Sequence, residues 1–140
     1  MEVKIKLKQE NAQVPVFKHK GDACCDCYAC ESVSVNVNQR ELVNLGFALE
    51  LPVGYEAVIR PRSGLTSKGI DVAIGTIDSN YRGEVKACVI NNSEKIFEIK
   101  SGDRICQMAI RKTEDVSFRQ VDELNDTDRG EKGFGSSGIR

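Results

Sequence analysis

Neither sign of charge dominates this chain of 140 residues, in which 20 basic side chains meet 21 acidic ones for a formal net charge of −1. That balance argues against a protein that grips a long nucleic acid by electrostatics; one small anionic ligand stays compatible with it. Long apolar runs are missing too. Nothing approaches the length of a secretory h-region or a membrane span, so no membrane partner is expected and the chain reads as a soluble protein of the cell interior. Histidine is nearly absent, with His19 alone and read as a surface residue. Helical periodicity is almost lacking as well, which turns attention to strands.

Cysteine, by contrast, is plentiful: six residues, four of them clustered at Cys24, Cys25, Cys27 and Cys30. Intracellular thiols stay reduced, so a disulfide framework is the weaker reading. A zinc site competes with it, yet one tight cluster lacks the distant second ligand pair that structural zinc sites show. Small buried thiols are the favoured reading, with Cys88 and Cys106 as plain core residues.

The length suits one domain with its own core. Residues 3–7 alternate apolar with charged, and residues 32–37 alternate with period two. Residues 42–51, 56–60, 96–99 and 105–110 also read as strands, and 116–121 as a last one. Only residues 63–68 look helical, with Ser63 as the cap and Gly69 closing the turn. Many short strands between turn signals predict an all-β, jelly-roll-like distorted barrel with one short helix. It occupies residues 1–121, and a polar, flexible tail follows over 122–140.

The centre of the chain is residues 75–84. Apolar, β-branched runs at 70–77 and 85–90 flank a polar middle, so the stretch reads as a β-hairpin carrying Asp78 and Tyr81 at its tip. An acid and a ring on one rigid turn can handle a sugar and a water molecule together, the acid as base and the ring as apolar floor. A solvated tip is the plain alternative. Pro61, Arg62, Ser63 and Gly64 open the short helix, where free N–H groups favour an anion; an ordinary capped turn fits equally well. Gln107 begins a strand and faces away from Cys106. Asp26 puts a carboxylate among small buriable residues, which suits either a surface acid or one serving a metal's water shell. In the tail, Arg129 precedes Phe134, Gly135, Ser136 and Ser137, a composition able to wrap phosphate and stack on a base, although most glycine-rich tails do neither.

Taken together and in this order, the stations at Asp26, 61–65, 75–84, 102–107 and 129–138 resemble the deoxyuridine triphosphatase (dUTPase) family. The resemblance spans nearly the whole chain and implies a homotrimer that hydrolyses dUTP to dUMP and pyrophosphate, limiting uracil in DNA and supplying dUMP for dTMP synthesis. It places such an enzyme in the cytoplasm, or in the nucleus or host-cell interior for a eukaryotic or viral source. By this resemblance Asp78 binds the 3′-hydroxyl and activates water, and Tyr81 packs under the deoxyribose and excludes a 2′-hydroxyl. Backbone of Val72, Gly75, Thr76 and Ile77, and the chain near Lys86, reads uracil. Arg62, Ser63 and Gly64 meet phosphate and Gln107 the α-phosphate. Asp26 holds water on Mg²⁺, which arrives on the triphosphate. Phe134 stacks on uracil, while Arg129, Gly135, Ser136 and Ser137 close over the terminal phosphates. Cys25 and Cys27 stand where relatives carry glycine and larger apolar residues, and Lys132 stands where they carry a small one. A related dCTP deaminase and a non-catalytic nucleotide sensor on the same fold are the rival readings.

Overall fold

The computed structural model describes residues 1–140 as eleven short strands and one helical turn. The strands are β1 (Lys4–Leu7), β2 (Cys25–Tyr28), β3 (Val33–Val35), β4 (Arg40–Asn44), β5 (Phe47–Glu50) and β6 (Tyr55–Arg60). After helix α1 (Ser63–Thr66) come β7 (Ile70–Val72), β8 (Gly75–Ile77), β9 (Lys86–Asn91), β10 (Phe97–Ile99) and β11 (Arg104–Lys112). All pairings are antiparallel. A four-stranded sheet runs β2-β11-β6-β8 and a three-stranded one β4-β9-β7, with β1-β5 and β3-β10 as two-stranded ribbons. This is the jelly-roll-like all-β architecture expected. The single helix has four residues, and no helix is long and apolar enough to cross a membrane.

Period-two alternation builds the core. Ala57 and Ile59 point inward from β6, Ala87 and Val89 from β9, and Cys25 and Cys27 from β2, each separated by a more exposed neighbour. They join Phe47, Leu45, Ile99 and Ile105 in one cluster. Truncating one of its large members to alanine costs about 2–5 kcal/mol.

Several expected boundaries shift. Residues 42–51 form two strands rather than one, because the chain turns at Gly46 (φ 78°) to leave the β4 sheet for β5. A side chain is excluded there twice over, since a Cβ would come within 2.9 Å of Cys30 Sγ. The strand expected at 32–37 shortens to β3, as a turn with Asn38 at φ 59° ends it. Residues 116–121 make no strand at all. The last backbone hydrogen bond to the body is Thr113 N–H to Gly54 O at 2.9 Å, and beyond it no sheet edge of the same chain lies alongside. Ser63 is the first helical residue and caps nothing; Arg62 occupies the cap position without a side-chain bond.

The thiols divide as well. Cys25, Cys27, Cys30 and Cys106 are buried, but Cys24 and Cys88 are half-exposed, so Cys88 is no core residue. All six are free, and no three potential ligands converge on a metal position.

Candidate active site

Two clefts gather most of the expected site residues. The first, about 430 Å³, is lined by Asp26, Arg62, Ser63, Gly64 and Gln107 together with Lys18, Asp22, Ala23 and Cys24. Strand register explains the grouping. Gln107 on β11 stands opposite Asp26 on β2 and opposite Arg60 on β6, and its side-chain amide donates to Pro61 O at 2.8 Å. A bulge at Ile105 shifts the β11–β2 register between Arg104 and Cys106. In a regular strand residues 104 and 107 would point to opposite faces; the extra residue puts both on the face of Asp26.

Asp26 is therefore paired twice. Its Oδ1 lies 3.3 Å from Arg62 Nε, and its Oδ2 accepts from Arg104 Nη1 at 3.3 Å. Arg62 is also tied by Nη1 donating to Arg104 O at 2.8 Å. Two guanidiniums thus overbalance one carboxylate at the mouth of a helix whose Ser63 and Gly64 N–H groups have no partner in the chain. Such a mouth suits a phosphate. Sequence reasoning passed over Lys18, Asp22, Cys24 and Arg104 here. Lys18 arrives through an isolated bridge between Val16 and Asp26, which no local pattern announces.

The second cleft, about 260 Å³, holds Gly75, Thr76, Ile77, Asp78, Tyr81 and Lys86, with Ile59, Glu84 and Val85 completing it. Its origin corrects the hairpin reading. The arms of the expected hairpin pair only at their base, where β7 lies against β9 and Ala73 N–H donates to Cys88 O at 3.0 Å; nearer the tip, β8 leaves at Ala73–Ile74 to pair with β6 in the other sheet. β8 is an edge strand, so on the side facing β9 its backbone donors and acceptors carry no ladder partner. A ligand entering between the parted arms finds hydrogen-bonding groups ready. Val72 does not line this cleft; its side chain is buried in the core and its N–H is taken by Asp71 Oδ1 at 2.8 Å.

The tip itself is a tight turn, closed by Tyr81 N–H to Asp78 O at 3.1 Å. Arg82 Nη1 braces it by donating to Ser79 O at 2.7 Å. Asp78 is exposed, and the Tyr81 hydroxyl donates to Glu84 O at 3.2 Å. Arg129, Phe134, Gly135, Ser136 and Ser137 gather in neither cleft. They line a separate hollow with Lys132 and Gly133 in the tail, where Phe134 is fully exposed.

Electrostatic shifts fall beside these clefts rather than in them. Hydrogen bonding to Cys106 and Cys25, reinforced by burial, pushes the Cys27 thiol well above the usual thiol range. Cys25, accepting from Cys27, is shifted down. Burial raises Cys30, with the charges of Glu84 and Glu31 adding to it.

The family model described as dUTPase matches residues 10–138. The chain belongs to the dUTPase family. Among dUTPase relatives, the deoxyuridine 5'-triphosphate nucleotidohydrolase of Nautilia profundicola is 45% identical, with 99% of each chain covered. That of Orientia tsutsugamushi (strain Ikeda) is also 45% identical, over 99% of this chain and all of its own. The dUTPase of Staphylococcus bacteriophage 80alpha, solved with dUpNHpp, matches with a TM-score of 0.93 at 28% identity over 99% of both chains. The parted hairpin and the bulged β11 are thus elements of a dUTPase barrel followed from end to end.

Proposed function

We propose that this protein hydrolyses dUTP to dUMP and pyrophosphate. The observation that carries the reading is the second cleft: an acid and an aromatic ring on a closed turn, beside a strand edge with unpaired backbone groups. The activity in the names of its relatives agrees with it.

Uracil enters between β8 and β9. A backbone donor and acceptor on the β8 edge match its O4 and N3–H; cytosine reverses that pattern and leaves both groups unpaired, at about 1–3 kcal/mol each. The deoxyribose rests on Tyr81, whose ring leaves no space for a 2′-hydroxyl. Asp78 accepts the 3′-hydroxyl and takes a proton from the water that attacks the α-phosphorus. Arg62, with the free N–H groups of Ser63 and Gly64, draws charge off the phosphates, and Gln107, fixed by Pro61 O, meets the α-phosphate. The tail, residues 122–140, folds over the nucleotide, with Phe134 on the base and Arg129, Gly135, Ser136 and Ser137 at the terminal phosphates.

A magnesium ion carried on the triphosphate fits the donors present. Two of the roughly four acceptor positions of the Asp26 carboxylate are in use, which leaves room for a metal-bound water; no cage of three ligands exists to strip the ion. Bound there, Mg²⁺ would neutralise phosphate charge.

The two clefts and the tail hollow share no lining residue within one chain. A homotrimer in which each site is assembled from three subunits would bring such separate parts together and bury exposed apolar residues such as Leu42 and Ile74 between them. Such an enzyme works in the cell interior, on the nucleotide pool that feeds DNA synthesis.

The test is release of pyrophosphate from dUTP and dCTP side by side, with and without Mg²⁺. Rapid turnover of dUTP alone is expected. Ammonia from dCTP, or dUTP binding without pyrophosphate release, would overturn the reading.

A further inference from the structure

Gly83 sits two residues beyond Tyr81, and the tyrosine ring folds back across it. A Cβ built at Gly83 would overlap Tyr81 Oη and Cζ and come within 2.8 Å of Cε2, closer than real side-chain contacts allow. Backbone freedom is not the reason for this glycine, because its φ is not positive, unlike those of Gly46 and Gly69. The reason is room: the ring occupies the volume that any side chain at 83 would need.

The turn around it is held by other means. Tyr81 N–H closes on Asp78 O, and Arg82 donates to Ser79 O and, at 3.2 Å, to Tyr81 O. Tyr81 is 46% exposed, so its ring has somewhere to go. When a pinned backbone meets a half-free ring, the ring yields first. It would lose the hydroxyl bond to Glu84 O and its present tilt in the cleft.

We infer that Gly83 is a positioning residue that sets the height and tilt of the Tyr81 ring, and through it the rejection of ribonucleotides. The inference rests on the reading of Tyr81 as the floor beneath the deoxyribose. Gly83 touches no substrate itself; the space it leaves open gives the ring one seat.

The experiment compares the full-length protein with Gly83→Ala, Tyr81→Ala and the double variant. For each, kcat and KM are measured on dUTP and UTP with Mg²⁺, alongside the thermal midpoint. Gly83→Ala is expected to narrow the dUTP:UTP ratio of kcat/KM by at least about tenfold, mostly through KM. In the Tyr81→Ala background the same change should move the ratio less than about twofold, and the effects on midpoint should be non-additive in the same sense. An equal effect in both backgrounds, or an unchanged ratio in Gly83→Ala while Tyr81→Ala collapses it, would overturn the inference alone. A Tyr81→Ala variant with its ratio intact would instead remove the reading beneath it, and the inference with it. Should Gly83→Ala fail to fold while the double variant folds, the contact is structural rather than a control on specificity, and the inference falls.

Discussion

Asp26 and Gln107 face each other across the β2–β11 ladder, one held by two guanidiniums and the other by Pro61 O. The acid and the amide hold the first cleft in shape before any ligand arrives. Asp26→Asn keeps the size and removes the charge, freeing Arg62 and Arg104 from their shared partner. Because these pairs are partly exposed, the stability cost should stay near about 1 kcal/mol. The larger effect is expected on function: the Mg²⁺ concentration for half-maximal pyrophosphate release should rise about tenfold or more. A magnesium titration of the purified variant checks this; an unchanged midpoint would remove Asp26 from any metal role.

Asp78→Asn tests the proposed base. The amide retains the size and one acceptor but takes no proton, so kcat for dUTP should fall by at least about 10²-fold. Affinity for a non-hydrolysable analogue such as dUpNHpp should change only a few-fold. Calorimetry with that analogue, beside steady-state kinetics, separates the two effects. Full turnover by the variant would dismiss Asp78 as the base.

Removing residues 122–140 should leave the barrel intact, since no backbone hydrogen bond joins that segment to the body. A thermal midpoint within about 2 °C of the full chain is expected, together with a loss of about tenfold or more in kcat/KM. Scanning calorimetry and the dUTP assay on the same preparation decide it. A truncated protein of full activity would make the tail an idle appendage.

The thiols set an alkaline limit. Cys27 is held neutral in the fold, above its ordinary value of 9.0, by hydrogen bonding to Cys106 and Cys25 and by burial. In the unfolded chain the thiol ionises near that ordinary value. The folded state then binds more protons than the unfolded one, and stability falls as pH rises past it. The slope from this one thiol is at most about 1.4 kcal/mol per pH unit. Denaturant melts between pH 8 and 10.5 should show the decline, and Cys27→Val should flatten it. A wild-type stability that holds level to pH 10.5 would contradict the assignment.

The strand class was legible because alternation is local: Ala57 and Ile59, or Ala87 and Val89, announce their inward face without help from the rest of the chain. That Asp78, Tyr81 and Arg62 would line clefts was legible for a similar reason, each lying in a short run of distinctive residue types. What stayed hidden depends on which strand meets which. Nothing within residues 70–77 says that Val72 pairs toward β9 and Thr76 toward β6, yet that parting makes the cleft. Residues 116–121 carry a strand-like pattern and find no neighbour in their own chain. Lys18 and Arg104 reach the first cleft only through a bridge and a bulge, two irregularities without a periodic signature. Gly46 could be read as a glycine; the crowding by Ala12 and Cys30 that demands it is a long-range fact.

The extra residue at Ile105 gives β11 something like a reading frame. Deleting a single position from the turn that feeds it, so that β11 slips by one against β2 and β6, would turn every later side chain over, carrying Gln107 into the interior and Met108 out to water. At this point of the barrel chain length matters more than side-chain identity, and a gap of one is a heavier lesion than most substitutions.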